Sequence, residues 1–263
     1  MPNGFLFTAT CYSPLHAGTG QSIGKVDLPI QREKHTGYPC VYGSSLKGAL
    51  RQFCTYNGMG PDDVKSIFGD EDSNSSAGGA IFTDLKILFF PVRASVDSFK
   101  WVISQKVVDR YKREREDILK VGGTLDVSAT SELIENPGNF DADQHIILED
   151  FIFTKNNEQD ENKDIIASIK KKDVYLIGED WFNYLVTHAT QIIARNQLND
   201  KKISQNLWYE EVLPAETVLY SYVLPSVSNI EDLDKLKTTI DGKIVQIGGG
   251  ETVGYGLCKI CVH

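Results

Sequence analysis

The stretch from His16 to Arg51 reads HAGTGQSIGKVDLPIQREKHTGYPCVYGSSLKGALR. It constrains the chain more than any other segment. Its glycine-rich first half carries one acid, Asp27, among small, basic and apolar neighbours. Glycine and proline recur too often for a regular element, so Ser13 to Tyr42 reads as a long ordered loop, the kind that often carries function. The loop then feeds a helix over Ser44–Cys54. Leu46, Ala49, Leu50 and Phe53 fall at helical spacing there, and Ser44 or Ser45 stands where an N-cap belongs.

Around this segment the pattern predicts a first strand over Gly4–Tyr12, where apolar residues alternate, and a second over Ala80–Phe90, ended by Pro91. Pro61–Gly79, acidic and rich in glycine and serine, reads as a mobile excursion. Gln105–Val121 and Trp181–Ile193 read as helices, and Arg195–Leu213 as a polar hairpin. Thr217–Leu224 is a further strand, Ile230–Thr238 a short helix and Leu257–Val262 a last strand. The polar region 124–173 reads as an insertion into a single domain spanning 1–263, with Asn156–Asp164 flexible. This order gives an α+β fold: a ferredoxin-like, RRM-type palm with helices on one face of an antiparallel sheet.

The chain's 36 acidic residues outnumber its 27 lysines and arginines, for a formal net charge of −9. That argues against a general nucleic-acid coat but leaves room for one basic channel in an acidic surface. No apolar run is long enough to span a bilayer. The opening MPNGFLFTAT lacks the basic and apolar regions of a secretory signal, and five cysteines form no disulfide framework. A cytoplasmic protein with reduced thiols is expected.

The candidate chemistry lies in three places. Gly43, Ser44 and Ser45 open a helix that carries Lys47 and Arg51. A lysine in a first turn opposes the helix dipole, and a phosphate seated at the N-terminus reverses that cost. Gly248, Gly249 and Gly250 open a second glycine-rich loop, whose amides could face phosphates; a plain flexible turn is the alternative. Asp27 is either a loop cap or a carboxylate held beside a polyanion. His16 and His35 flank it as candidate acid–base groups. Two tempting motifs fail on spacing. Gly18–Lys25 places Thr19 where a phosphate-binding loop needs its first glycine, and Val26 where it needs a metal-binding hydroxyl. Cys258 and Cys261, three apart on a strand, point to opposite faces and have no second pair to complete a zinc site.

Several of these segments together resemble the backbone subunit of type III-B CRISPR–Cas (Cmr) effector complexes, in the RAMP superfamily. They are His16-Ala-Gly-Thr-Gly, the run from Asp27 to Pro39, Gly43-Ser-Ser-Leu-Lys-Gly-Ala-Leu-Arg, Asp84 to Arg93, Leu207 to Thr217, and Gly248 to Gly256. The resemblance implies an endoribonuclease subunit. It would stack with further copies of itself and other type III-B subunits along a CRISPR RNA and cut single-stranded target RNA at regular intervals. By that resemblance Asp27 is the catalytic acid, aided by Mg²⁺ or another divalent metal that folding does not require, and Arg195–Leu213 is a thumb that interrupts the guide–target duplex. His16, Glu210 and Glu211 are candidate assistants. A scaffold that binds RNA without cutting is the alternative.

Overall fold

The computed structural model describes residues 4–24, 26–70, 77–120, 131–135, 141, 143–155, 164–166, 169–170, 173–226 and 230–263. In chain order the elements are β1 (Phe5–Cys11), β2 (Cys40–Val41), α1 (Gly43–Tyr56), α2 (Pro61–Phe68), β3 (Ala80–Phe82), β4 (Leu85–Arg93), β5 (Phe99–Ser104), α3 (Gln105–Leu119), β6 (Ser131–Glu135), β7 (His145–Leu148), β8 (Phe151–Lys155), β9 (Asp164–Ile166), β10 (Ile169–Lys170) and β11 (Val174–Ile177). There follow α4 (Glu179–His188), β12 (Gln191–Leu198), β13 (Ser204–Val212), β14 (Val218–Pro225), α5 (Ile230–Ile240), β15 (Ile244–Gln246), a 3₁₀ turn over Glu251–Val253 and β16 (Leu257–Val262).

The chain forms two compact units: residues 1–86 with 190–263, and residues 87–189. In the first unit β1 lies between β14 and β16, antiparallel to both, with β15 beyond β16 and β3 beside β14. Helices α1 and α5 pack on each other and against this sheet, and α2 packs on both. The strand–helix–strand–strand–helix–strand plan of the palm is therefore present in β1, α1, β3, β14, α5 and β16. Its core is laid down by alternation: Phe5, Phe7, Ala9 and Cys11 of β1 are buried, as are Leu46, Leu50 and Cys54 of α1. The α1 stripe is displaced from the expected one, for Ala49 and Phe53 are only half-buried. In the apolar setting of Cys54, burial pushes its thiol up to about 12.

The second unit departs from the expected all-antiparallel sheet. Its strand order is β4, β5, β11, β6, β8, β7, and β11 runs parallel to both of its neighbours. Parallel pairs need crossovers, and α3 lies in the connection from β5 to β11. Lys100 of β5 is 4% exposed, yet it bonds Asp97 and Asp173 at 2.9 Å each, which is how a lysine is tolerated in a buried strand.

Several sequence expectations are corrected. Pro61–Gly79 is not a mobile excursion throughout: Pro61 occupies the first turn of α2, Asp62 and Asp63 complement its dipole, and Val64, Ile67 and Phe68 are buried. The strand expected at Ala80–Phe90 is two, β3 and β4, split where the Thr83 hydroxyl accepts from Tyr222 N–H and meets Ser221 Oγ at 3.1 Å. Pro91 does not end β4. It sits within it opposite Trp101, giving up one donor and keeping extended backbone. The helix expected to reach Ile193 stops at His188, because Gln191 already belongs to β12. The hairpin accordingly starts at Gln191 and runs to Val212. Parts of the 124–173 segment, including 156–163 of the stretch expected to be flexible, lie outside the described residues; its described parts include β6 to β10.

Replacing Leu50, which is fully buried on α1, with alanine should cost about 2–5 kcal/mol of stability. A urea midpoint unchanged from the parent chain would show that α1 is not anchored through this residue.

Candidate functional site

The long loop is held in place by bonds to three neighbours. Leu15 exchanges backbone hydrogen bonds of 2.9 Å with Leu213 at the end of the hairpin. His16 accepts from Gly249 N–H through its carbonyl, at 2.8 Å. The loop then doubles back: Gln31 N–H donates to Ala17 O at 2.7 Å and Thr19 N–H to Pro29 O at 3.1 Å. Its returning arm lies along β13. Leu28 N–H donates to Tyr209 O at 3.1 Å, and Glu211 N–H to Leu28 O at 3.0 Å.

Glu211 fastens this arm. Its side chain is 9% exposed and accepts from Ile30 N–H at 3.1 Å, from Arg32 Nη2 at 2.6 Å and from Thr190 Oγ1 at 2.9 Å. A carboxylate with this many donors is satisfied in place and serves to hold the arm. Glu210 is also committed: it accepts from Trp208 Nε1 at 2.8 Å and lies 4.0 Å from Arg195 Nε. Sequence reasoning left both glutamates as candidate assistants. What it lacked was the partners, which lie up to 181 residues away in the chain.

Asp27 is different. It is exposed, and one of its oxygens, Oδ2, accepts from Tyr209 N–H at 2.8 Å. It lines an open cavity of about 390 Å³ together with Gln21, Ser22, Leu28, Gln197, Asn206, Leu207 and Trp208. The cavity therefore lies between the loop and the hairpin. The cap reading and the carboxylate reading are both visible in this geometry, because one oxygen is used by backbone and the group as a whole faces solvent.

His16 does not line that cavity. Its Nδ1 donates to Glu211 O at 2.7 Å, which leaves Nε2 the acceptor in the neutral ring. His35 is exposed, 4.0 Å from the Glu33 carboxylate. At α1 the cap is Tyr42, not Ser44 or Ser45, and no side chain of the cap residue closes the helix start. Instead the Asp84 carboxylate accepts from Gly43 N–H at 2.8 Å. A side chain on residue 43 would collide with Phe82 O, so glycine is required there for close packing. Ser45 Oγ accepts from Gln31 Nε2 at 3.3 Å. Lys47 is half-exposed and without an ion-pair partner among the described residues. Arg51 lies one turn further on, also half-exposed.

The second glycine loop packs on the first. Gly248 has φ of +83°, and a Cβ there would strike the His16 carbonyl. Its glycine is explained by the neighbouring chain before any ligand is invoked. Gly249 spends its N–H on His16 O, while Gly248, Gly249 and Gly250 are all exposed. Cys258 faces inward, 3.8 Å from the Cys11 sulfur, and Cys261 is only half-buried, so the two do not share a face. The hydrogen bond shared with Cys258, together with burial, pushes the Cys11 thiol up. No group of three or more His, Cys, Asp or Glu side chains could hold a metal among the described residues.

Glu211→Ala should strand an amide, a guanidinium and a hydroxyl and cost about 1.5–3 kcal/mol, the worth of hydrogen bonds to a charged group. Limited proteolysis should then cut between Gly18 and Ile30. A loop as resistant as in the parent protein would show that Glu211 does not fasten it.

Comparison with known proteins places the chain. Residues 8–259 match the RAMP superfamily model. The Cmr endoribonuclease Cmr4 of Pyrococcus furiosus is 33% identical over 97% of this chain and 93% of its own length. The Cmr subunit Cmr4 of Saccharolobus solfataricus is 22% identical over 94% and 92% respectively. Among solved structures, oligomeric Cmr4 from Pyrococcus furiosus superposes with a TM-score of 0.73 at 29% identity, covering 99% of this chain and 98% of that one. A chain of the type III-B Cmr-beta complex bound to cognate target RNA shares the fold, with a TM-score of 0.81 at 20% identity over 98% and 96%. The chain belongs to the RAMP superfamily, as a member of its Cmr4 family.

Proposed function

We propose that this protein is the RNA-binding backbone subunit of a type III-B Cmr complex and cuts guide-complementary single-stranded RNA with Asp27. It works with CRISPR RNA, further copies of itself and the other Cmr subunits. The observation that carries the reading is the exposed Asp27 carboxylate in a cavity walled by the hairpin strands β12 and β13. The family relationship supplies the polymer, and the cavity supplies a place for one reacting nucleotide.

RNA brings its own nucleophile. When a nucleotide is splayed so that its 2′-oxygen lies in line with the adjacent phosphorus, the O–P bond can form as the bond to the 5′-oxygen breaks. Asp27 is placed to take the 2′-hydroxyl proton, and the leaving oxygen takes a proton from solvent. The oxygen donors around Asp27 suit a hard cation such as Mg²⁺, and Gln21, Ser22, Gln197 and Asn206 add amide and hydroxyl oxygens. With a single carboxylate, such an ion would be held jointly with an RNA phosphate, where it would neutralise charge on the scissile group. Lys47 and Arg51 form the guide track, with the glycine loops at Gly43–Ser45 and Gly248–Gly250 close enough in character to admit a phosphate backbone. Asp84 already occupies one amide of the first.

Asp27→Ala in the assembled complex should slow target cleavage by about 10²–10⁴-fold while guide and target affinity stay near the parent values. Full cleavage would refute the catalytic role. Loss of binding together with cleavage would favour the cap role that the Tyr209 bond suggests. Lys47→Ala and Arg51→Ala should weaken guide binding whatever its sequence, and each should flatten the salt dependence by about 0.7 in log–log slope. Unchanged slopes in both would place these residues off the RNA.

A further inference from the structure

The cavity beside Asp27 has a chemistry of its own. None of its lining residues is a lysine or arginine, so among the described residues no cationic side chain in it attracts a phosphate, and Asp27 repels one. Its apolar lining comes from Leu28, Leu207 and Trp208, of which Trp208 shares its face of β13 with Asn206. The remainder is neutral and polar: the amides of Gln21, Gln197 and Asn206 and the hydroxyl of Ser22. The volume of about 390 Å³ falls in the range of pockets that hold small organic ligands. Trp208 is held in position, because its Nε1–H is bonded to Glu210 Oε1 at 2.8 Å and that carboxylate lies near Arg195.

We infer that this cavity is a nucleobase seat: it takes the base of the nucleotide whose 2′-hydroxyl attacks, with Trp208 as its stacking wall and Gln197 and Asn206 at the base edge. The inference rests on the proposed cleavage at Asp27 and adds a residue-level account of how the reacting nucleotide is held. A flat apolar wall beside neutral amides suits an aromatic heterocycle better than a sugar or a phosphate. Primary amides present both a donor and an acceptor and can turn over, so they accept the edge of any of the four bases. The seat is therefore tolerant of sequence, as cutting of targets that vary with the guide requires. Its contribution is placement. A base fixed on Trp208 fixes the ribose attached to it, and hence the 2′-oxygen beside Asp27. Trp208 is a positioning residue, not a proton carrier.

The test uses the assembled complex under single-turnover conditions. The target carries either a normal base or an abasic residue at the nucleotide 5′ to one scissile phosphate. Trp208→Ala and the abasic target should each slow cutting at that phosphate by about 5- to 150-fold, the span that one stacking contact supplies. Combined, they should be no slower than either alone, and Trp208→Phe should restore most of the rate. The four normal bases should differ less among themselves than any of them differs from the abasic residue. Losses that multiply, or a Trp208→Ala complex that cuts at the parent rate, would overturn the seat.

A second readout does not depend on cleavage. In an Asp27→Ala complex, 2-aminopurine at the same nucleotide should lose fluorescence on binding and regain it when Trp208→Ala is added. Fluorescence that ignores Trp208 also overturns the seat. Should Asp27→Ala still cut, the proposed catalytic role fails, and the fluorescence result continues to decide the base seat by itself.

Discussion

The Glu211 carboxylate is buried among a backbone amide, a guanidinium and a hydroxyl drawn from two separate parts of the chain. The candidate site depends on this one group. Ile30 and Arg32 belong to the returning arm of the long loop, Thr190 precedes the hairpin, and Glu211 itself lies on β13. Fastening them makes the arm a short companion of β13, with Leu28 bonded to the backbone of Tyr209 and Glu211. Asp27 begins that arm and is held by Tyr209 N–H. The acid is thus positioned by the hairpin more than by the loop that bears it. Tyr209 N–H ties Asp27 to β13, so in the proposed cutting the acid and the hairpin would act as one piece.

The glycine-rich segments look different once their neighbours are known. In the sequence they suggest amides bared for phosphate. In the structure Gly43 is bound by Asp84 and crowded by Phe82, and Gly248 is crowded by His16. Each therefore serves internal packing first. An internal carboxylate at a helix start offsets the positive end of the dipole. In a chain of net charge −9 the proposed attraction of RNA then rests on a few side chains such as Lys47 and Arg51. The glycine loops position these parts of the palm relative to one another, since His16 of one loop and Gly249 of the other are hydrogen-bonded.

Much of the palm was legible because its signals are local. Alternation in Phe5–Cys11 gave β1 and the helical stripe near Leu46 gave α1, and both are present. Asp27 stood out as a lone acid between Val26 and Leu28 in a long loop. The errors share a cause, which is that tertiary partners override local signals. Pro91 reads as a strand end but is accommodated opposite Trp101. Phe99–Ser104 went unread as a strand because Lys100 interrupts its apolar run, and that lysine is buried only through Asp97 and Asp173. Ser44 and Ser45 read as caps because the residue that meets the helix start, Asp84, is 41 positions away. The bond from His16 Nδ1 to Glu211 O, which orients the ring, likewise became visible only with the fold.

Three acids lie along this strip of the molecule: Asp27, Glu210 and Glu211. A pair of metal-binding carboxylates would be the obvious reading if they converged. They do not converge, because alternation along β13 separates the two glutamates and each finds a cation or donors on its own side. Glu211 is used in holding the loop, Glu210 in holding Trp208, and Asp27 alone faces the cavity. One free acid is enough for RNA, since the nucleophile and most of the geometry come with the substrate and the protein's main task is to hold a flexible chain in line. In the proposed reaction the two committed glutamates would serve that task indirectly, Glu211 by fixing the arm that bears Asp27 and Glu210 by fixing Trp208.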